Sequence, residues 1–139
     1  MNRGFPYSYQ YNPPAPVLHI RFATPGENPQ LSPLIALIDT GSDGTLVPRR
    51  HLEAVEAIAI GEAMLHGLWG GSRKVDLYEI DIHIGKFTLP GVIVACNEMG
   101  DEILLGRNVL NRLILLLNGL ESEIELLIQG SKAVRKYRS

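Results

Sequence analysis

Fourteen glycines and nine prolines divide this 139-residue chain into short apolar runs. In residues 17–22 and 78–84, apolar and polar side chains alternate with the period of two that a half-buried β-strand requires. Short apolar runs that are separated by glycine and proline predict an all-β domain. Further short apolar runs are also predicted as strands, the last two forming a hairpin around Asn118; they are residues 33–39, 45–48, 57–66, 87–96, 102–105, 113–117 and 123–128.

One or two short helices are expected. Pro48 suits the first position of a helix through residues 49–58, and a second helix-like spacing follows Gly106. His83 shares a strand face with Asp81, and both side chains are expected to be solvated.

Composition narrows the class of protein. Hydrophobic residues make up 45% of the chain and charged residues 20%, while the net charge of −2 gives no reason to expect a nucleic-acid partner. Cys96, the single cysteine, is expected to be buried and inert, and the scattered histidines lack zinc-site spacing, so no metal or cofactor is predicted. No run resembles a signal peptide or a membrane span, which favours a soluble cytoplasmic protein without membrane contacts.

Three segments are predicted along the chain: an aromatic and proline-rich arm at residues 1–16, one domain at 17–130, and a basic tail at 131–139. In the arm, an aromatic residue occupies every second position from Phe5 to Tyr11. The arm is therefore either an edge strand that packs on its own domain or an extension that crosses to a partner subunit. Both alternatives stay open.

A carboxylate stands at the end of the apolar run IALI, where Asp39 precedes Thr40 and Gly41. Aspartate is depleted in strands and costly to bury, so its position needs an explanation. It is either a turn residue that caps its own backbone or a working carboxylate, with Gly41 permitting the tight turn that aims it outward.

Three blocks in order connect this motif with a known family. Leu37 and Ile38 precede Asp-Thr-Gly, the glycine-rich stretch GLWGGSRKV spans residues 67–75, and ILLGRNVL begins at Ile103. Together they resemble the retropepsin-like aspartic proteases over residues 17–128. The resemblance implies a single-lobe closed barrel with a flap hairpin, assembled as a two-fold symmetric homodimer that hydrolyses peptide or protein substrates.

The chemistry behind the resemblance needs two carboxylates. Peptide hydrolysis without a metal requires a proton acceptor that activates water and a proton donor, and two carboxyl groups that share one proton supply both. One chain carries one Asp-Thr-Gly, so the resemblance implies that two copies of Asp39 meet on a two-fold axis.

The resemblance also assigns roles to neighbouring residues. Thr40 would lock the turn across the dimer axis, Ser42 would donate a hydrogen bond to the Asp39 carboxylate, and Asp43 would bind substrate N–H groups while pairing with Arg107. Ile38, Leu68, Trp69 and Val92 are expected to line an apolar cleft. Supporting roles fall to Thr45, Gly106 and Asn108, and the flap is assigned to Gly67, Leu68, Trp69, Gly70 and Gly71, with Trp69 at its tip.

Two other functional classes compete with the protease. A catalytically silent dimer could use the same cleft to bind an extended peptide by strand addition. A purely structural all-β domain would leave the three ordered blocks as coincidence. Cleavage of an unfolded protein that disappears on Asp39→Asn separates the protease from both.

Overall fold

The computed structural model describes residues 3–66 and 70–127. As the sequence predicts, this part of the chain is mostly β-structure with two short helices. No helix within it is long and apolar enough to cross a membrane. In chain order the elements are β1 Arg3–Pro6, β2 Val17–Ala23, β3 Leu34–Ile38, β4 Thr45–Pro48, α1 Arg49–Ala54, β5 Ala59–His66, β6 Ser72–Ile84, β7 Phe87–Asn97, β8 Ile103–Leu105, α2 Arg107–Leu110, β9 Ile114–Asn118 and β10 Glu123–Leu127.

Six strands form a closed barrel in the order β2-β3-β8-β4-β7-β6, and a pairing between β2 and β6 completes the ring. Strand β8 lies between β3, to which it is parallel, and β4, to which it is antiparallel. β5 pairs only with β6 and stands outside the ring. The alternating apolar residues of the strands fill the barrel, as the period of two predicts; they include Leu18, Ile20, Ile80, Ile82, Val94 and Leu105.

Helix α1 is shorter than predicted. It ends at Ala54 instead of continuing to residue 58, and Pro48 precedes it with an extended ψ of 145°. The backbone N–H of Ala57 donates to the Leu52 carbonyl, and Glu56 has a positive φ of 54°. The chain therefore turns out of the helix at Glu56 and enters β5.

A second sheet of three strands, in the order β1-β10-β9, packs beside the barrel. The predicted hairpin around Asn118 is confirmed, because β9 pairs antiparallel with β10 and the Asn118 Oδ1 accepts a hydrogen bond from the Glu121 backbone. In this chain β1 is an edge strand on its own sheet, with Phe5 in the common core. Tyr9, by contrast, is 74% exposed, so the arm does not present one continuous aromatic face.

The expectation that Asp81 is solvated is wrong. The Asp81 side chain is buried, and its carboxylate accepts hydrogen bonds from the backbone N–H groups of Gly26, at 2.9 Å, and Gly91, at 2.8 Å. The pairing register between β6 and β7 shifts between Ile80 and Ile82, which brings Gly91 opposite the acid. Through these two hydrogen bonds, Asp81 connects the loop after β2 to the β7 segment where the register shifts. His83 is half-buried instead of solvated.

Candidate active site

Asp39 follows the last residue of β3 and is fixed through its backbone. Its N–H donates to the Leu105 carbonyl at 3.0 Å, which is a bond of the last pair between β3 and β8, Ile38 with Leu105. Its own carbonyl accepts the Ser42 N–H at 3.2 Å, and its carboxylate oxygen Oδ1 accepts the Gly41 N–H at 3.1 Å. The carboxylate is therefore held in a tight turn, half-buried, at the mouth of the barrel.

Gly106 packs against the turn that follows Asp39. A Cβ atom on this residue would clash with the Gly44 carbonyl and would lie 2.9 Å from the Ser42 carbonyl oxygen. Only glycine permits so close an approach of the two backbones. The segment after β8 and the Asp39 turn are consequently packed backbone to backbone.

A fully buried hydroxyl group connects the same two segments. Thr45 Oγ1 accepts the Gly106 N–H at 3.1 Å and donates to Asn108 Oδ1 at 2.7 Å. Asn108 Nδ2 donates in turn to the Ile93 carbonyl at 2.9 Å. Thr45, Gly106 and Asn108 thus occupy positions consistent with the supporting roles predicted for them.

The predicted ion pair between Arg107 and Asp43 is absent among the described residues. The Arg107 guanidinium instead donates to the Thr40 carbonyl at 2.8 Å, and its backbone N–H donates to the Ser42 carbonyl at 2.8 Å. Asp43 is exposed, and only its carbonyl is bonded to this segment, by the Asn108 N–H. Arg107 therefore stabilises the backbone of the turn and does not bind the Asp43 carboxylate.

Ser42 also has a partner that the sequence did not predict. Its hydroxyl donates to the Gly44 carbonyl at 2.7 Å. A hydroxyl group has one proton to donate, so Ser42 is not the donor to Asp39 in this arrangement. Ser42 closes the turn that Asp39 begins.

A cleft of about 930 Å³ separates the Asp39 turn from the tip of the β5–β6 hairpin. Gly71 and Ser72 line it from the hairpin side, and Gly70 has the positive φ of 86° that favours glycine in a turn. Gly67, Leu68 and Trp69 lie outside the described residues, so the prediction that Trp69 forms the flap tip stays a prediction.

Of the four residues predicted to form the apolar lining of the cleft, Ile38 and Val92 do not belong to it, while Leu68 and Trp69 lie outside the described residues. Val92 is buried in the barrel core, and Ile38 packs against that core. Among the described residues, the large apolar side chains that line the cleft are Leu46, Met64, Leu65, Met99 and Leu104. Leu46 and Leu104 are opposite each other on β4 and β8, a pairing that no local pattern in the sequence predicts.

One wall of the cleft is a loop between β7 and β8. The Asn97 side chain accepts the Met99 N–H at 3.1 Å and donates to the Glu102 carbonyl at 2.9 Å, which holds this loop in a closed turn. Glu102 lines the cleft, and its carboxylate accepts a hydrogen bond from the Tyr11 hydroxyl at 3.1 Å. Burial, and then the Glu102 carboxylate, raise the pKa of Tyr11. The N-terminal segment thereby supports the wall of the cleft.

The structure is similar to two solved aspartic proteases. The retropepsin-like aspartic protease from Rickettsia conorii matches with a TM-score of 0.63 and 11% identity, over 91% of this chain and 90% of that one. The EIAV protease, solved with the inhibitor HBY-793, matches with a TM-score of 0.58 and 16% identity, over 78% of this chain and 93% of that one. No protein-family model and no curated protein matches by sequence. The closed barrel, with β8 placed between β3 and β4 and Asp39 at its mouth, is the fold of the retropepsin-like aspartic proteases.

Proposed function

We propose that this chain is an aspartic endopeptidase and that two copies of Asp39, one from each protomer of a homodimer, form its catalytic pair. The observation that carries the proposal is the position of Asp39. Its carboxylate lies on the floor of the large cleft, in a turn fixed by its own backbone and by the segment after β8. The fold similarity to two aspartic proteases supports the same chemistry.

The second carboxylate has to come from a second copy of the chain. The sequence contains Asp-Thr-Gly only once. Thr40 and Gly41, next to Asp39, are exposed in the single chain, so a second turn of the same kind could approach there. A two-fold axis through this point would bring the two carboxylates together and would bury both exposed turns.

In the proposed reaction, one carboxyl group of the pair is protonated and the other is ionised, because two close carboxylates cannot both carry a charge. The ionised group takes a proton from a water molecule, whose oxygen attacks the scissile carbonyl carbon. The protonated group donates to the carbonyl oxygen, which gives a tetrahedral diol. The carboxyl group that took the proton from water then gives it to the peptide nitrogen, while the other carboxylate takes a proton from one hydroxyl of the diol. The C–N bond breaks, a carboxylic acid and an amine are released, and the pair again holds one proton. The pair titrates as a unit, so neither protomer has a fixed role.

The walls of the cleft suggest which peptides would bind. Leu46 and Leu104 lie on the barrel side and Met64 on the hairpin side, where it is 52% exposed. An extended segment between these walls would place apolar side chains against them, and its backbone would lie near Asp43 and Gly71. We therefore propose an unfolded or extended polypeptide with apolar residues beside the cleaved bond as the substrate class.

The deciding experiment compares Asp39→Asn with Asp43→Asn on unfolded casein, with and without pepstatin. Asparagine still offers an oxygen to the Gly41 N–H, so Asp39→Asn is expected to fold but to cleave nothing. Asp43→Asn removes an equal charge from the same cleft and is expected to keep measurable cleavage.

Hydrolysis by Asp39→Asn within tenfold of the wild type would overturn the assignment. A wild-type chain that binds a peptide inhibitor but never cleaves would favour the silent peptide-binding dimer instead.

A further inference from the structure

We infer that a second site, far from the cleft, binds a small phosphoryl group or a similar tetrahedral oxyanion. This inference is independent of the proposed protease activity. The site is a cavity of about 260 Å³ at the opposite end of β6 from the hairpin tip. At about 3.3 Å per residue, the thirteen-residue strand β6 places the two sites up to ~40 Å apart.

Cations from three separate elements converge on this cavity. Arg3 comes from β1, Arg21 from β2, and Lys86 from the turn between β6 and β7. His19 and His83 complete the polar lining, and none of the described residues that line the cavity is acidic. Within residues 3–66 and 70–127, none of the three cations takes part in an ion pair. Like charges that lie together without an acid repel one another, and an anion bound between them would relieve that repulsion.

The positions of these side chains follow from strand pairing. Arg21 is the register partner of His83, so the two residues are neighbours across β2 and β6. His19 lies two residues before Arg21 and shares its face of the strand. Arg3 packs its stem against Gly85, where a Cβ would come within 3.0 Å of Arg3 Cδ, and its guanidinium lies 5.1 Å from the Phe5 ring centroid. Arg3 is an exposed residue, but these two contacts direct its side chain along the end of β6.

His83 provides an independent indication of a ligand. Its Nε2 is buried and has no hydrogen-bond partner within the described part of the chain, while its Nδ1 is 3.0 Å from the Thr88 hydroxyl. When Thr88 donates to Nδ1, the neutral ring carries its proton on Nε2 and presents a donor. A buried donor without a partner is unfavourable, and an oxyanion can satisfy it.

Asp81, the acid nearest to His83 on the same face of β6, does not neutralise the cations that line the cavity. Asp81 is two residues away, but both of its carboxylate oxygens accept backbone N–H groups, from Gly26 and Gly91, and it does not line the cavity. A volume of about 260 Å³ lies below the range of pockets for drug-sized ligands. The occupant is thus a single phosphoryl group with at most a small substituent.

The test is a titration of the full chain with sodium phosphate at constant ionic strength, followed by calorimetry and by amide chemical shifts. We expect saturable binding, with shifts concentrated in β1, β2 and the β6–β7 turn. Arg21→Gln and, independently, Lys86→Gln should each weaken binding by about tenfold or more, because each removes one charged partner. Lys74→Gln, which removes an equal charge from an exposed position of β6 outside the cavity, should leave the affinity unchanged.

A second arm uses phosphatidylcholine vesicles with and without phosphatidic acid. Co-sedimentation that requires phosphatidic acid and is lost in Lys86→Gln would support the site and identify a lipid headgroup as the source of the phosphoryl group. Absence of that co-sedimentation, with saturable binding of free phosphate, would support the site and identify a soluble source. Shifts that grow linearly with phosphate, that equal those of chloride, or that map to the cleft of Asp39 would overturn the proposal.

Discussion

Gly106 and Gly44 touch through their backbones, so closely that a side chain on Gly106 would overlap the Gly44 carbonyl. This contact joins the segment after β8 to the turn that carries Asp39. Substitution by alanine forces two backbone segments apart, and neither is a flexible side chain that could move aside. We expect Gly106→Ala to lower the free energy of unfolding by about 3 kcal/mol or more, measured by urea denaturation.

Gly44→Ala is the matched control, because nothing lies within 4 Å of its added Cβ, and its effect should stay within about 1 kcal/mol. Equal stabilities of the two variants would contradict the close packing.

Replacing the buried hydroxyl of Thr45 should lower the free energy of unfolding, although the shape of the side chain is kept. Thr45→Val leaves the Gly106 N–H and the Asn108 Oδ1 without their partner. The expected loss is about 2–3 kcal/mol of unfolding free energy. Thr24→Val, at a half-buried position whose side chain has no hydrogen bond to the described residues, serves as the control and should be nearly neutral. Thermal denaturation of both variants checks the difference, and a neutral Thr45→Val would show that the network does not stabilise the turn.

Activity should depend steeply on protein concentration if Asp39 works in pairs. Far below the dimer dissociation constant, a tenfold dilution should lower the total rate by about a hundredfold, because the dimer concentration follows the square of the chain concentration. Sedimentation gives the dissociation constant independently. Excess Asp39→Asn chain should also inhibit the wild type, since mixed dimers contain a single carboxylate. A rate that is proportional to concentration throughout, and indifferent to the inactive chain, would place the whole site within one protomer.

Ser42→Ala should leave the acidic limb of the pH–rate profile in place. The hydroxyl donates to the Gly44 carbonyl and not to the carboxylate of Asp39, so its removal does not change the hydrogen bonds of the acid. A loss of about 1 kcal/mol in stability is expected from the broken bond in the turn. The measurement is kcat/KM against pH on one peptide, with dimer content checked at each pH. An acidic limb that moves upward by half a unit or more would mean that Ser42 turns to Asp39 in the working enzyme.

Cys96 should be unreactive in the folded protein. Its side chain is fully buried, and burial raises the pKa of the thiol, although the nearby Arg49 acts in the opposite direction. At pH 8 the native chain should react with a disulfide reagent at least about a hundredfold more slowly than the urea-unfolded chain.

Because the pKa of the Cys96 thiol is higher in the folded chain than in the unfolded one, this residue's contribution to stability is present below about pH 8.5 and is lost as the pH rises above it. Cys96→Ala should flatten that part of the stability profile. Rapid native labelling would contradict the burial.

The sequence by itself determined the features that depend on neighbouring residues. Alternation in residues 17–22 and 78–84 indicated strands, because side chains on a strand point alternately to two faces. The Asp-Thr-Gly turn and the later Leu-Leu-Gly segment indicated where two strands would end. These signals are local, and the structure confirms the strands that they predict and the closed barrel that the family resemblance implies, with Gly106 packed against the turn.

Only the tertiary structure determines the hydrogen-bond partner of each polar group. The sequence allowed Ser42 and Arg107 each to bind a carboxylate, but in the structure backbone carbonyls accept their protons. Asp81 looked like a solvated strand residue, yet Gly26, 55 positions away, donates to it. The cations of the 260 Å³ cavity are likewise separated along the chain and meet only because β1, in the second sheet, lies beside the end of the barrel formed by β2 and the β6–β7 turn. Strand periodicity assigns a residue to a face, whereas the neighbours on that face depend on how distant strands pair, and a pattern within one strand contains no information about that pairing.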